Sequence, residues 1–482
     1  MLSIVWFRQD LRKRDNPALA AAAARGPVLP IFISERAADS ANRQPGGAGK
    51  WWLYHSLSSL RNELGALELF QGAALDVLSD LIGRTKASAV FWNRCYDPFS
   101  IARDAAIKTA LKERGVEAHS FNGALLREPW ELATRSGEPF RVFTPFWRSL
   151  LQQAVEAPSP EPKTTCIVSK TGLALEELNL LPRRPNWAEG WEKKWTPGEA
   201  GALASLANFT KNKLRNYGID RDRPDVDGTS RLSPHLRFGE LSPRQVWTAV
   251  LAAGQESRRE KAALKFVSEL GWREFAYHLL YHFRDLAETN WRREFDVFAW
   301  RRSEADVLAW QKGLTGYPLV DAGMRQLWKT GWMHNRVRMI SASFLTKHLR
   351  INWREGEKWF WDTLLDADHA NNAAGWQWVA GTGADASPYF RIFNPVLQGQ
   401  KFDPNGDYVR QWCPEIAKLP NEHIHAPFDA PAGVLRQAGV ELGRTYPFPI
   451  VEHDVGRRAA LKAYERVKLE RASGGGLPDA VS

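Results

Sequence analysis

The chain has 482 residues, 44% hydrophobic and 25% charged, the balance of an ordinary soluble globular protein with room for roughly two to four domains. Its 65 Lys and Arg against 55 Asp and Glu leave a formal charge of +10, which favours a polyanionic partner, with solubility alone as the alternative reading of a modest surplus. Three scattered cysteines, Cys95, Cys166 and Cys413, argue against a disulfide framework, a zinc site or a cysteine-bound iron–sulfur cluster, and the opening MLSIVWFRQDLRKRD is too short and too charged for a secretion signal or spanning helix.

The first part of the chain alternates apolar runs with helical periodicity. Leu2–Phe7, Val28–Ile33, Leu75–Leu78, Ala89–Trp92 and Val116–Phe121 read as strands, and Asn16–Ala24, Lys50–Leu64, Asp80–Lys86 and Phe99–Arg114 as helices. A doubly wound parallel α/β sheet follows over residues 1–130. Ligands of such sheets bind beyond the carboxyl ends of the strands, but neither GxGxxG nor a Walker pattern occurs, so an ordinary dinucleotide or nucleoside triphosphate binder is not expected. From Gln152 to Trp195 the segments EAPSPEPK, LPRRPNW and KKWTPG replace periodicity with Pro and charge, and residues 131–199 read as an interdomain connector. Beyond Gly198 strand signals vanish. Helical patterns at Ala200–Tyr217, Pro243–Ala253, Lys261–Tyr281, Glu304–Lys312, Asp321–Leu327 and Asn335–Leu349 predict a larger all-α domain over 200–471, with 472–482 as a flexible tail.

Most of the 22 tryptophans lie in this second half, and Arg beside Trp suits splayed bases held by stacking and cationic grooves. The densest chemistry is DADHANNAAGWQWVAGTGADASPYFRIFNPVLQ, Asp366 to Gln398, where Asp366 and Asp368, Asn371 and Asn372, and Trp376 and Trp378 crowd together. A planar redox cofactor would use all three residue types: carboxylates for hydroxyl and amino groups, an amide for a ring edge, an indole for electron transfer. A buried helix with a satisfied polar cluster is the alternative. Gly228–Ser233, GTSRLS, reads as a phosphate cradle ahead of the helix near Pro243 or as simple N-capping, with Tyr217 and Arg221 upstream for ring or phosphate contacts. Glu269 and Arg273 are one turn apart, a surface ion pair or, with Trp272, a wall for a stacked base. Asn335, Arg336, Arg338 and Met339 come from GWMHNRVRMI, whose His334 reads as structural. Trp300 and Trp353 are isolated indoles that are either core packing or, with Trp376, a hopping chain.

Together WFRQDLRKRDNPAL, GTSRLSPHLRFGELSPRQ, TGYPLVDAGMRQL, GWMHNRVRMI, NWREGE and DADHANNAAGWQW resemble the photolyase and cryptochrome flavoproteins from residue 2 to about Trp412, and most of all a bacterial class III-like cyclobutane pyrimidine dimer photolyase. The resemblance implies a U-shaped FAD in the helical domain, held by Tyr217, Thr229, Ser230, Arg231, Leu232, Ser233, Arg273, Arg338, Asp366, Asp368 and Asn372, with Asp366 paired to Arg338 and Asn372 facing flavin N5. It implies a lesion pocket of Glu269, Trp272, Asn335, Met339 and Trp378, with Arg221, Arg336 and Gln398 toward the DNA backbone, and an electron-transfer triad of Trp376, Trp353 and Trp300.

The activity so implied is light-driven repair of UV-damaged DNA: reduced FAD passes an electron to a flipped-out pyrimidine dimer, which splits. Photoenzymes for six-four products carry a histidine pair where this chain has Asn335 and Met339, which points to cyclobutane dimers. The alternative is a cryptochrome-type blue-light photoreceptor without repair activity. The folate-contacting Asn-Glu pair of class I enzymes is replaced by Asp97-Pro98-Phe99, so those contacts do not carry over; an antenna of 5,10-methenyltetrahydrofolate bound differently, against Trp51, Glu138 or Phe140, is expected, with a deazaflavin or no antenna as the alternatives. No metal and no membrane partner are expected, and the chain is expected to be a monomer of the cytoplasm, associated with the nucleoid.

Overall fold

The computed structural model describes residues 1–35, 43–386 and 390–472. The expected tail therefore lies, but for its first residue, outside the described residues, as does 387–389 within the Asp366–Gln398 stretch. The chain divides into two compact units, each assembled from three stretches: 1–215, 230–284 and 365–370 in the first, and 216–229, 285–364 and 371–482 in the second.

The first unit opens with five parallel strands, β1 (Ser3–Phe7), β2 (Val28–Ser34), β3 (Glu68–Gln71), β4 (Ala89–Asn93) and β5 (Glu117–Phe121), in the order β3-β2-β1-β4-β5. Ser3 pairs with Val28 on one side and Ala89 on the other. SIVWF, VLPIFI and AVFWN are apolar on both faces because helices cover both faces of a parallel sheet. On one face Ile4, Trp6, Leu29, Ile31, Val90 and Trp92 pack with Leu78 and Leu81 and with Ile107 and Leu111. Two of those helices begin at side-chain caps: Asn16 accepts from Leu19 N ahead of Pro17–Arg25, and Asp97 from Ser100 N ahead of Pro98–Glu113.

One expected strand is wrong. Leu75–Leu78 belongs to the helix Ala74–Thr85, and the third strand is the short ELFQ of β3. Ala74, Leu78 and Leu81 recur at helical spacing and are buried together, while Gly72, at φ +144, makes the turn that ends the strand. The connector is largely irregular. It adds single bridges to the sheet, Cys166 beside Val28 and Leu173 beside Leu69. The rest of the unit is helical, chiefly Phe143–Leu151, Glu199–Asn208, Pro243–Glu256 and Glu260–His282.

The second unit is helical throughout its described residues, apart from isolated bridges; its main helices are Glu304–Lys312, Pro318–Thr330, Asn335–Ser343, Trp353–Thr363, Pro395–Phe402 and His453–Ala472. The expected Asn335–Leu349 helix ends as a π-turn, Phe344–His348. Asp321 is the anchor: fully buried, it accepts from Thr315 N and Oγ1, Gly316 N and the Tyr446 hydroxyl, so the TGYPLVD motif ties a turn, a helix and a distant segment together. The helix His369–Ala380 begins in the first unit and continues in the second. No described helix is long and apolar enough to cross a membrane.

Candidate cofactor and substrate site

In the first unit a cleft opens beyond the carboxyl ends of β1 and β4, where strand order reverses. Gln9 and Arg94–Asp97 follow those strands into it, and Ala124, Leu236, Arg237, Arg273, Tyr277, Leu280, Asp368 and His369 complete the lining. Arg273 is held there in one pose. Its Nη1 donates to Ala124 O at 2.9 Å and to Glu274 Oε1 at 3.1 Å, and its guanidinium lies over the Tyr277 ring. Glu274, deeply buried, also accepts from Leu126 N at 2.7 Å, and burial pushes its carboxyl up to about 7. Arg273 thus pairs with Glu274, its neighbour in sequence.

Arg237 is the unusual member of the cleft. It donates from Nε to Ala367 O at 2.7 Å, yet its Nη1 is buried without a hydrogen-bond partner, although the residue is only 9% exposed. A buried guanidinium nitrogen left unpaired costs on the order of 1–3 kcal/mol, which an anionic or carbonyl ligand would recover. Asp368, expected to bind cofactor, lines the same cleft and is buried. Trp272 stacks flat on Phe143 at 3.7 Å.

Gly228–Ser233 precedes not the Pro243 helix but a shorter one, Ser233–Arg237. The Pro243 helix has its own cap, a reciprocal Ser242–Gln245 box. Ser230 Oγ accepts from Leu232 N, Arg231 takes a left-handed φ of +53, and Arg231 and Ser233 are exposed while Leu232 is buried. Arg231 and Ser233 thus reach the surface at a helix start, while Thr229 and Ser230 are half-buried.

In the second unit Asn372 and Trp376 share one stripe of the His369–Ala380 helix, and both meet the Trp353–Thr363 helix. Asn372 Nδ2 donates to Glu357 O at 3.0 Å and to Glu357 Oε1 at 2.7 Å. Two acceptors at one end of the amide can be met only by its NH2 group, so the carbonyl Oδ1 points the other way. Trp376 presses on Gly356, edge to face with Phe360 at 4.9 Å and with Trp310 at 6.1 Å, and its Nε1 is buried without a partner. Trp353, fully buried, donates to Asn290 Oδ1. Trp300 packs on Phe298 at 4.5 Å, and its chain neighbour Arg301 bridges to Ile351, so the Trp300 and Trp353 segments run side by side.

Asn335 is exposed and contacts Met339 through Nδ2 and Sδ at 3.9 Å. Arg336 pairs with Asp222 at 2.8 Å, Arg221 lies 3.8 Å from the same carboxylate, and Arg338 donates to Met333 O. Tyr217 is buried; Arg221, Thr229, Asp366, Trp378 and Gln398 are half-buried. His334 caps its helix by accepting from Arg336 N, a structural role, and burial pushes its imidazole down to about 4. Sequence reasoning missed Glu357 and Arg237, because a lone acid or arginine on an amphipathic helix carries no signal of its burial.

A strand-order crevice on a parallel sheet in the first unit, and an oriented amide and a buried indole on helices of the second, are groups that a planar redox cofactor would use. Comparison with known proteins gives the family. Residues 3–163 match the family described as DNA photolyase, and residues 266–466 match the FAD binding domain of DNA photolyase. A deoxyribodipyrimidine photo-lyase of Agrobacterium fabrum is 53% identical over 473 residues, spanning 96% of this chain and 98% of the relative, and cryptochrome-2 of Arabidopsis thaliana is 40% identical over 99% of this chain and 81% of the relative. The crystal structure of a bacterial class III photolyase from Agrobacterium tumefaciens superposes with a TM-score of 0.92 at 52% identity, covering 97% of this chain and 98% of the other. The chain belongs to the photolyase and cryptochrome family of flavoproteins.

Proposed function

We propose that this chain is a deoxyribodipyrimidine photo-lyase that uses FAD and light to split cyclobutane pyrimidine dimers in UV-damaged DNA. The observation that carries the reading is the 53% identity to a photo-lyase over nearly the full length of both chains. Bound FAD would supply the light-driven electron, and the residues would supply orientation and electrostatics. The residue types fit that cofactor: hydroxyls and Arg231 for the pyrophosphate, Asp366 and Asp368 for hydroxyl and amino groups, Arg273 for negative charge, and Tyr217, Leu232 and Arg338 as flanking contacts.

Asn372 would present Oδ1, an acceptor, because Glu357 occupies its NH2. An acceptor suits the N5–H of a reduced flavin and repels the lone pair of the oxidised ring, so this amide would favour the reduced, electron-donating state. Glu269 would hydrogen-bond the lesion where negative charge develops, Trp272 and Trp378 would stack on it, and Asn335 and Met339 would line its pocket. Arg221, Arg336 and Gln398 would hold the backbone, the two arginines exchanging Asp222 for phosphate. Trp376, Trp353 and Trp300 would relay electrons inward.

The functional division proposed is antenna domain 1–130, connector 131–199 and FAD domain 200–471. For the antenna we favour methenyltetrahydrofolate. It would lie against Trp51, Glu138 or Phe140, where Trp51, 4% exposed, packs on Trp52, His55 and Trp191, and Phe140 packs on Phe146 and His278. A monomer acting beside the nucleoid completes the proposal.

The test is blue light on the reduced, FAD-loaded protein with UV-irradiated oligothymidine. Recovery of thymine absorbance in light, but neither in the dark nor on a six-four substrate, is expected. Photoreduction of FAD without any repair would overturn the assignment and favour the photoreceptor reading that the likeness to cryptochrome-2 supports.

A further inference from the structure

In the second unit two arginines share one acid. The segment after the short helix Tyr217–Asp220 reads RDRPD, basic and acidic side chains in alternation. Arg223 and Asp225 form a two-pronged pair there, and the Asp225 side chain is only 3% exposed. That pair belongs to the fold, since removing Arg223 would leave a buried carboxylate unmatched. Asp222 is placed differently. Its side chain is 36% exposed, its Oδ1 accepts from Nη2 of Arg336 at 2.8 Å, and Nε of Arg221 lies 3.8 Å from the same oxygen.

Both guanidiniums have a second support that does not depend on this acid. Arg336 lies over the Phe402 ring at 4.5 Å, and Arg221 lies over the Tyr217 ring at 5.5 Å. The Nε of Arg336 is buried without a hydrogen-bond partner, so its donors are not all used. The rings fix where the cations stand, and Asp222 sets how much positive charge they show. To a passing duplex the trio presents a single net cation.

We propose that Asp222 is a specificity-determining residue, a resident counter-charge that holds down binding to undamaged DNA and, by returning to Arg336 once the dimer is split, speeds release of the repaired duplex. The proposal rests on the reading of Arg221 and Arg336 as contacts to the DNA backbone. Phosphate contacts supply nearly all non-specific affinity, so an acid between two arginines weakens attachment to any duplex. A flipped-out lesion adds a seat of its own and a deformed backbone, which brings phosphate within hydrogen-bond reach of the arginines and displaces Asp222. On an undamaged duplex the phosphates stay farther off, and Asp222 keeps its bond. Repair turns the first kind of ligand into the second, because the restored bases restack.

The experiment uses the full chain loaded with FAD and, in the dark, a fluorescent duplex with or without one thymine dimer. Asp222→Asn is expected to bind the undamaged duplex about tenfold more tightly and the dimer duplex about twofold more tightly, with the slope of log affinity against log salt on undamaged duplex steeper by about one. After a pulse of blue light, stopped-flow release of the repaired duplex is expected to slow by about fivefold. Asp222→Ser, which removes the same charge with a shorter side chain, is expected to act alike, and bound-flavin absorbance and melting temperature show that each variant is folded. If both variants bind undamaged duplex like wild type with the same slope, Asp222 is no counter-charge. If both bind the dimer duplex more weakly, Asp222 holds the arginines in place for DNA, and the proposal is overturned in the opposite sense. Arg336→Ala is expected to lose affinity for both duplexes; if it binds them like wild type, the backbone reading itself fails and this proposal with it.

Discussion

Glu357 decides what Asn372 offers its surroundings. An amide alone can turn either end outward, but a carboxylate and a backbone carbonyl at one end fix it. Glu357→Gln should lower the midpoint potential of bound FAD by on the order of 30 mV, about 1.4 kcal/mol for a two-electron couple, because the enforced acceptor at N5 is lost. Spectroelectrochemistry measures this, and an unchanged potential would sink the orienting role. The two partners differ in how far sequence reveals them. Asn372 stands in a cluster of acids, amides and indoles that no solvated helix would need. Glu357 sits in REGEKW, where a glutamate looks like any exposed helical acid and only the fold shows it to be buried. Arg237 is hidden in the same way, since its unpaired nitrogen is a property of the cleft and not of HLRFG.

At the scale of elements, the fit between two helices depends on one missing methyl group. Gly356 lies in the Trp353–Thr363 helix although glycine is a poor helix former, and the gain is the close seat for Trp376. Gly356→Ala must displace that ring or the helix, with an expected loss of roughly 2–4 kcal/mol. Calorimetry should show a lowered melting temperature, and photoreduction should slow as the ring moves; a variant as stable as wild type would mean that the contact gives way easily. Elements with strong periodicity, such as Glu260–His282 and Glu304–Lys312, were legible within a residue or so from sequence. β3 was not, because ELFQ is four residues long at a sheet edge while the neighbouring ALDVL is more apolar, and helical burial of Leu78 and Leu81 outweighed local strand character.

For the whole molecule, buried titratable groups set opposing pH dependences. Burial lowers His278 and His334 to about 4 and His348 to about 3, so these imidazoles are neutral when folded and take up protons on unfolding. Their contribution is present above the ordinary histidine range and is lost as pH falls below about 6.5. Glu274 and Asp403 act in the reverse sense. Burial raises them to about 7 and about 6, and the stability they give in protonated form is lost as pH rises through those values. The melting temperature should therefore peak at about pH 6 and decline on both sides. Glu274→Gln should flatten the decline above the peak; a profile in which that variant parallels wild type would show that Glu274 does not titrate there.

The two compact units interleave along the chain, and this bears on how the protein is made. The first unit takes its last stretch from 365–370, so it lacks one of its pieces until about three-quarters of the polypeptide has been synthesised. Vectorial folding of one finished half before the other, the usual course for tandem domains, is closed to it. The sheet can form early, but the unit stays one piece short while residues 285–364 of the second unit are translated. A nascent chain of this kind depends on keeping its early portion soluble, and the charged, Pro-rich connector laid against the sheet edge is well placed to do that.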